Sequence, residues 1–321
     1  MSMPEPVIQV KDLIKVYSAP GGHRIDAVNG ISFSVADGEI FGLLGPNGAG
    51  KSTTIGMLTT MVKISSGEAV IAGVDVAADN IAIKELIAVV PQATNLDRSL
   101  TARENLLFHA KYFGVPREER EARADELLEL MALKGRAWDY PADFSGGMAR
   151  RLMIARALMH EPRVIFLDEA TTGLDPQSRL MLWHKIRELN EAGRTIFLTT
   201  HYMEEADQLC DRVAVIDHGR ILALDTPANL KAMVPGGNVV ELRTTAHDDG
   251  LVARLRDELT GLENIETEGQ TVKLFLDRPE EGLIRAVEVA RAHGTELESV
   301  KLQPITLEDV FVRLTGRGLR E

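Results

Sequence analysis

The stretch GPNGAGKST, Gly45 to Thr53, decides the fold. It fits the spacing G-x-x-x-x-G-K-[ST] and lies between an apolar run, Ile40 to Leu44, and a segment that reads as a helix from Lys51. A buried strand entering a glycine turn that opens a helix is the setting in which this spacing holds phosphate. The loop Gly45, Pro46, Asn47, Gly48, Ala49 and Gly50 can turn successive backbone N–H groups inward around phosphate oxygens, and the helix start adds its positive dipole end. Lys51 supplies a point charge for the terminal phosphates, Ser52 a hydroxyl ligand for Mg2+, and Thr53 a further donor.

Outward from this loop, other apolar strands end in polar residues. RVIFLDEA, Arg163 to Ala170, puts Asp168 at a strand end to hold Mg2+ directly or through water, and Glu169 next to it as a general base. His201 follows TIFLTT, where an imidazole can meet phosphate or the attacking water. Gln92 follows another apolar run, and its neutral amide suits Mg2+ or water without changing the charge balance. Strands alternating with helices imply a parallel α/β sheet whose ligands bind at the carboxyl ends of the strands.

The 321 residues suffice for one large domain and a smaller one, and 45% hydrophobic with 26% charged residues is an ordinary globular composition. A net charge of -12 argues against nucleic acid as the main partner. The single cysteine, Cys210, excludes an intrachain disulfide. No apolar run approaches the ~18 residues that cross a bilayer, and the N-terminus lacks a secretory pattern, so the chain is expected to be soluble yet able to dock on a membrane protein. SLTARENLLFHAKYFG carries Thr101 as N-cap, Glu104 three residues on and Gly114 as a stop. PREEREARADELLELMALKG reads as an amphipathic helix with Leu127, Leu130, Met131 and Leu133 inward. After PGGN, near residue 235, the pattern changes to a small α+β unit like a split βαβ, ending in a helix at TLEDVFVRLTGR.

DFSGGMARRL, Asp143 to Leu152, contains a second glycine pair at a helix start, with Ser145 as N-cap and Gly146 and Gly147 permitting close backbone approach. It is a second anion-binding end, separated from the phosphate loop by the helical segment 93–144.

Together these motifs resemble the ATP-binding-cassette (ABC) family over about residues 7–230. The resemblance implies a P-loop NTPase core, residues 1–235, with a helical subdomain at about 93–160, followed by an accessory α+β domain at 236–321. It implies ATP and Mg2+ as ligands, the latter on Ser52, Gln92 and Asp168, and Tyr17 stacked on adenine. Lys51, Glu169, His201 and Asp175 fall in the hydrolysis machinery, with Gly173, Leu174 and Asp175 in a loop that passes between protomers. In the family two cassettes pair head to tail, and the Ser145–Gly147 equivalent of one closes over ATP on the other. The implied partners are a second copy and a membrane permease on a separate chain, with no nucleic acid, and the implied location is the inner face of the cell membrane. Phe144 and Met148 depart from the common L-S-G-G-Q without touching the phosphate donors. They, and the tail Thr306, Leu307, Glu308, Asp309, Val310 and Phe311, resemble the daunorubicin- and multidrug-resistance-type exporter ATPases. A DNA- or ribosome-directed ABC ATPase fits less well, since such chains carry two cassettes, a coiled coil or a basic surface. A small-molecule phosphotransferase would have no use for the second glycine pair.

Overall fold

The computed structural model describes residues 6–18, 24–234, 238–246 and 248–315. The turn expected around residues 19–23, the glycine break at 235–237 and the tail from 316 lie outside the described residues. The chain forms two compact units, one running to Thr226 and one from Pro227.

In the first unit, β1 (Pro6–Ser18) pairs antiparallel with β2 (Arg24–Ala36). Then β3 (Ile40–Leu44), buried at every residue, leads through the glycine loop into α1 (Lys51–Leu58). β4 (Ser66–Ile71) and β5 (Val74–Asp75) complete an antiparallel sheet of order β2-β1-β4-β5. α2 (Asn80–Leu86) delivers β6 (Ile87–Val90). A helical insert follows: α3 (Ala102–Tyr112), α4 (Arg117–Leu130) and α5 (Gly146–Ala157). The capping box expected at Thr101 and Glu104 starts α3. The buried residues on α4 are Ala124, Leu127 and Leu128, and Met131 and Leu133 just beyond it are buried as expected; only Leu130 departs, being half-buried, while Leu128 takes a place on the inner face. β7 (Val164–Asp168), α6 (Pro176–Glu191), β8 (Thr195–Thr200), α7 (Met203–Leu209), β9 (Arg212–Asp217) and β10 (Arg220–Asp225) finish the unit.

The main sheet has the order β10-β9-β3-β8-β7-β6 and is parallel except for the β9–β10 hairpin. Its register sets Leu44 beside Thr200, Thr199 beside Asp168, and Leu167 beside Val90. The four strand ends that carry candidate residues are therefore level. Between the two sheets Phe33 stacks on Phe41 with ring centroids 5.2 Å apart, Phe41 on Phe197 at 5.4 Å, and Phe197 meets Phe166 at 5.4 Å. This aromatic row pins strands β2, β3, β8 and β7 to one another.

The second unit contains α8 (Pro227–Ala232), β11 (Asn238–Thr244), α9 (Asp249–Glu258), β12 (Leu262–Glu268), β13 (Thr271–Leu276), α10 (Pro279–His293), β14 (Leu297–Pro304) and α11 (Leu307–Thr315). The antiparallel order β12-β13-β11-β14 is that of a split βαβ pair. The tail motif has a local physical reason. Thr306 N and Oγ1 donate to Asp309 Oδ2 at 2.8 and 2.7 Å, Asp309 N donates back to Thr306 Oγ1 at 3.3 Å, and Lys273 Nζ lies 3.5 Å from Asp309 Oδ1. Leu307, Val310 and Phe311 are buried.

The helical insert meets the core through a half-buried histidine pair. His160 Nε2 lies 2.9 Å from the Ile87 carbonyl, which can only accept, and Phe113 stacks on His160 at 4.0 Å. His109, tilted against Phe113 at 4.7 Å, is pushed down to about 4 by burial and then by the charges of Arg156 and His160. It is neutral in the folded chain at pH 7, so its stabilising effect is complete above the unfolded value near 6.5 and is lost as pH falls towards 4. In denaturant titrations, the wild type should lose on the order of 2–3 kcal/mol relative to His109→Gln between pH 6.5 and 4. An unchanged difference across that window would rule this out.

Candidate active site

The glycine loop is shaped by contacts that no side chain at Gly45 or Gly50 would permit. A Cβ on Gly45 would sit 2.1 Å from the Ile216 carbonyl. One on Gly50 would sit 2.5 Å from the Ala27 carbonyl, and Gly50 is also held at φ +108. Gly50 caps α1 with no side-chain hydrogen bond, which leaves the first-turn N–H groups to a ligand. Inside the loop, Lys51 Nζ donates to the Gly45 and Pro46 carbonyls at 2.8 and 3.0 Å and lies 3.2 Å from Glu169 Oε1. A cavity of about 390 Å³ opens beside it, lined by Ala27, Asn47, Gly48, Gly50, Lys51, Ser52, Thr53, Gln92 and Glu169.

The level strand ends bring Ser52, Gln92, Asp168, Glu169 and His201 together. Ser52 Oγ donates to Asp168 Oδ1 at 3.2 Å, and Thr199 Oγ1 donates to the same oxygen at 2.6 Å. Gln92 Nε2 donates to Glu169 Oε2 at 3.2 Å, Thr172 Oγ1 donates to it at 3.4 Å, and His201 Nδ1 lies 3.3 Å away without hydrogen-bond alignment. Glu169 is buried and takes φ +46, a conformation costly for a residue with a Cβ. Its N–H is held there by the carbonyl and the hydroxyl of Thr199, both at 3.1 Å.

The second glycine pair lies outside this constellation. Ser145 Oγ accepts from Met148 N at 3.3 Å and so caps α5. Ser145 and Gly146 are exposed, Gly147 is buried, and none of the three lines the phosphate cavity.

A helix-borne lysine in a glycine cradle, with a strand-end Asp-Glu pair and a separate Ser-Gly-Gly helix start, is the geometry of ATP-binding cassettes. The model of the ABC transporter family matches residues 28–172. The linearmycin resistance ATP-binding protein LnrL of Bacillus subtilis is 38% identical over 317 residues, covering 98% of this chain and 100% of that one. The Nod factor export ATP-binding protein I of a Rhizobium species is 42% identical over 294 residues, covering 92% and 93%. Among solved structures, the dimeric post-hydrolysis state of the ATP-binding cassette MJ0796 bound to ADP and Pi superposes with a TM-score of 0.62 at 28% identity. That match covers 68% of this chain and 98% of that one. The chain belongs to the ABC transporter family. It is an ATP-binding and ATP-hydrolysing transporter subunit with a P-loop NTPase core.

Within this cassette, two predicted residues stand apart from the cluster. Tyr17 is 37% exposed near the end of β1, and Lys15 Nζ sits over its ring at 4.7 Å. Asp175 is the N-cap of α6, accepting from Ser178 N at 2.9 Å, and this hydrogen bonding to Ser178 holds its carboxyl below the usual range. It touches none of the phosphate-site residues named above. The oxygen-bearing set Ser52, Asp168 and Gln92 suits a hard cation, which Mg2+ is.

Several ABC residues of the site were not singled out from sequence. Thr199 carries both Asp168 and Glu169, and in the run TIFLTT it reads only as strand. Glu205 on α7 is buried and receives Trp183 Nε1 at 3.0 Å, and burial pushes its carboxyl up. A carboxylate on the apolar side of MEEADQLC was the signal available for it. Arg179 of α6 lies over the Tyr202 ring at 4.6 Å, and that ring meets His201 at 4.2 Å, so the turn bearing His201 is gripped from α6.

The two signature glycines have different reasons. A Cβ on Gly147 would meet Ser178 Oγ at 2.7 Å and Ser178 Cβ at 2.8 Å, whereas one on Gly146 would find only Leu174 at an ordinary 3.6 Å. Gly147→Ala should therefore lower the melting temperature of the purified chain by several degrees, with partial recovery in Gly147→Ala/Ser178→Gly. Gly146→Ala should leave the melting temperature near wild type while slowing ATP hydrolysis. Equal melting losses at both positions would contradict the assignment.

Proposed function

We propose that this cassette powers export of a drug, antibiotic or lipid-like hydrophobic compound through a permease on a separate membrane-spanning chain, from the cytoplasmic face of the membrane. The names of its relatives support export, one being a linearmycin resistance protein and the other a Nod factor export protein. No helix among the described residues is long and apolar enough to cross a membrane. The helical insert exposes Phe108, Tyr112 and Trp138, apolar surface of the kind that seats a protein partner.

The observation that carries the mechanism is that Ser145–Gly147 lie off the cavity their own chain builds. The reading is a head-to-tail homodimer in which Ser145, Gly146 and Gly147 of one copy face the ATP held by Gly45–Thr53 of the other. Tyr17 stacks on the adenine. Ser52, Gln92 and Asp168 hold Mg2+, which when bound offsets the phosphate charge. Glu169 takes a proton from the water that attacks the terminal phosphorus, His201 steadies that phosphate, and Lys51 stabilises charge on the oxygens. Gly173, Leu174 and Asp175 sense the second copy. Residues 236–321 act as an accessory domain.

Two variants test this. Glu169→Gln keeps an oxygen for Lys51 but cannot accept the proton, so turnover should fall by about a hundredfold or more, with an ATP-dependent dimer visible by size-exclusion chromatography. A monomer with full turnover would refute the base assignment. Ser145→Arg should abolish hydrolysis while each chain still binds a fluorescent ATP analogue. Equal loss of binding would mean that the Ser145 helix serves its own chain's nucleotide.

A further inference from the structure

Helix α5 carries three arginines whose guanidinium groups hold backbone carbonyls. Arg150, only 6% exposed, donates through Nη1 to the Pro91 carbonyl at 2.5 Å and through Nη2 to the Gln92 carbonyl at 2.7 Å. Arg156 donates to the Asn95 carbonyl at 2.8 Å. Arg151 reaches instead to the Met131 carbonyl, at 2.6 Å, beyond the end of α4. Among the described residues Arg150 meets no carboxylate within ion-pair distance. Burial pushes its pKa down, and only the nearby charge of Asp168 opposes this. A buried cation without a paired anion is costly, so its two carbonyl bonds are needed to hold it there. The planar fork suits two adjacent carbonyls at once, which an ammonium cannot match.

The residue whose backbone is gripped is the one whose side chain touches the general base. Gln92 Nε2 donates to Glu169 Oε2 at 3.2 Å, and Ser145 caps the same helix in the turn before Arg150. We propose that Arg150 is a positioning residue for Gln92: it fixes the Pro91–Gln92 backbone to α5, so that contact made at Ser145 and Gly146 is felt at Glu169 through Gln92. The proposal rests on reading Gln92 as part of the hydrolytic site and the start of α5 as the face met by the second copy.

The test is a double-mutant cycle on the full chain, following ATP hydrolysis, affinity for a fluorescent ATP analogue and melting temperature. Arg150→Lys should lower kcat by about tenfold, change analogue affinity less than twofold, and add no further loss in the Gln92→Ala background. Arg151→Lys, the same change on the same helix with acceptors away from Gln92, should combine multiplicatively with Gln92→Ala. If Gln92→Ala is slow and the Arg150 double variant shows multiplied losses, Arg150 is only a structural clamp and the proposal fails. If Gln92→Ala runs at the wild-type rate, the reading of Gln92 falls and the proposal with it. Should Arg150→Lys melt far below the wild type, Arg150→Gln, which can still donate to one carbonyl, carries the same cycle.

Discussion

The Lys51 ammonium is almost fully buried, and the rest of the site is organised around satisfying it. A buried cation needs hydrogen bonds and a nearby negative charge, and losing either is strongly destabilising. Here the Gly45 and Pro46 carbonyls provide the first and Glu169 the second. The glycine loop is thereby folded around its own lysine, and Glu169, the proposed general base, is tied to that lysine. Under the proposed mechanism, a phosphate oxygen that draws Lys51 away would take over the role of Glu169 as counter-ion. The carboxylate would then be free for the proton the proposal has it accept, so that substrate binding and base release would be two sides of one exchange.

That exchange works only if Glu169 is held in place from elsewhere. It projects from the end of β7 with positive φ, and its position depends on Thr199 of β8, one strand over. Because β3, β8, β7 and β6 are parallel and level, the glycine loop after β3, Thr199 and His201 at the end of β8, Asp168 and Glu169 at the end of β7 and Gln92 after β6 meet at one edge of the sheet. The aromatic row between the two sheets fixes that level alignment. A one-residue slip of β8 would move Thr199 away from both Asp168 and Glu169 at once. Apolar packing far from the phosphates therefore sets the precision of the polar cluster.

What sequence reveals here is what short range determines. The glycine loop, the capping box at Thr101 and the strand-end Asp168 and Glu169 are each fixed by a few neighbouring residues and were legible. Split βαβ topology was legible too, because the order of its elements admits few arrangements. On α4 the buried Leu127, Met131 and Leu133 were legible, but Leu128 in place of Leu130 was not, because α3 and α5, which pack against α4 from elsewhere in the sequence, decide the edge of its inner face. The same limit hid Thr199, Glu205 and Arg150. Each has an unremarkable local context, and each acquires its role from a strand, helix or loop brought alongside by the fold. His109 is of this kind as well, since its depressed protonation comes from burial between the helical insert and the core.

The second glycine pair joins both levels. In sequence the two glycines are equivalent, but packing separates them. Gly147 is needed by its own chain, because α6 passes so close that Ser178 occupies the space of a Cβ, while Gly146 faces solvent with room to spare. The cap has a similar division. Ser145 Oγ takes the Met148 N–H, so the N–H groups of Gly146 and Gly147 remain as first-turn donors without an intrahelical acceptor. This arrangement depends on the backbone of residue 148 and not on its side chain, so methionine can stand where relatives of the common pattern have glutamine. What the helix end then presents is a capped, rigid pair of donors beside an exposed hydroxyl, held by arginine bonds to the loop that carries Gln92. That surface is displaced from the chain's own phosphate cavity, and this is what the proposed head-to-tail pairing builds on.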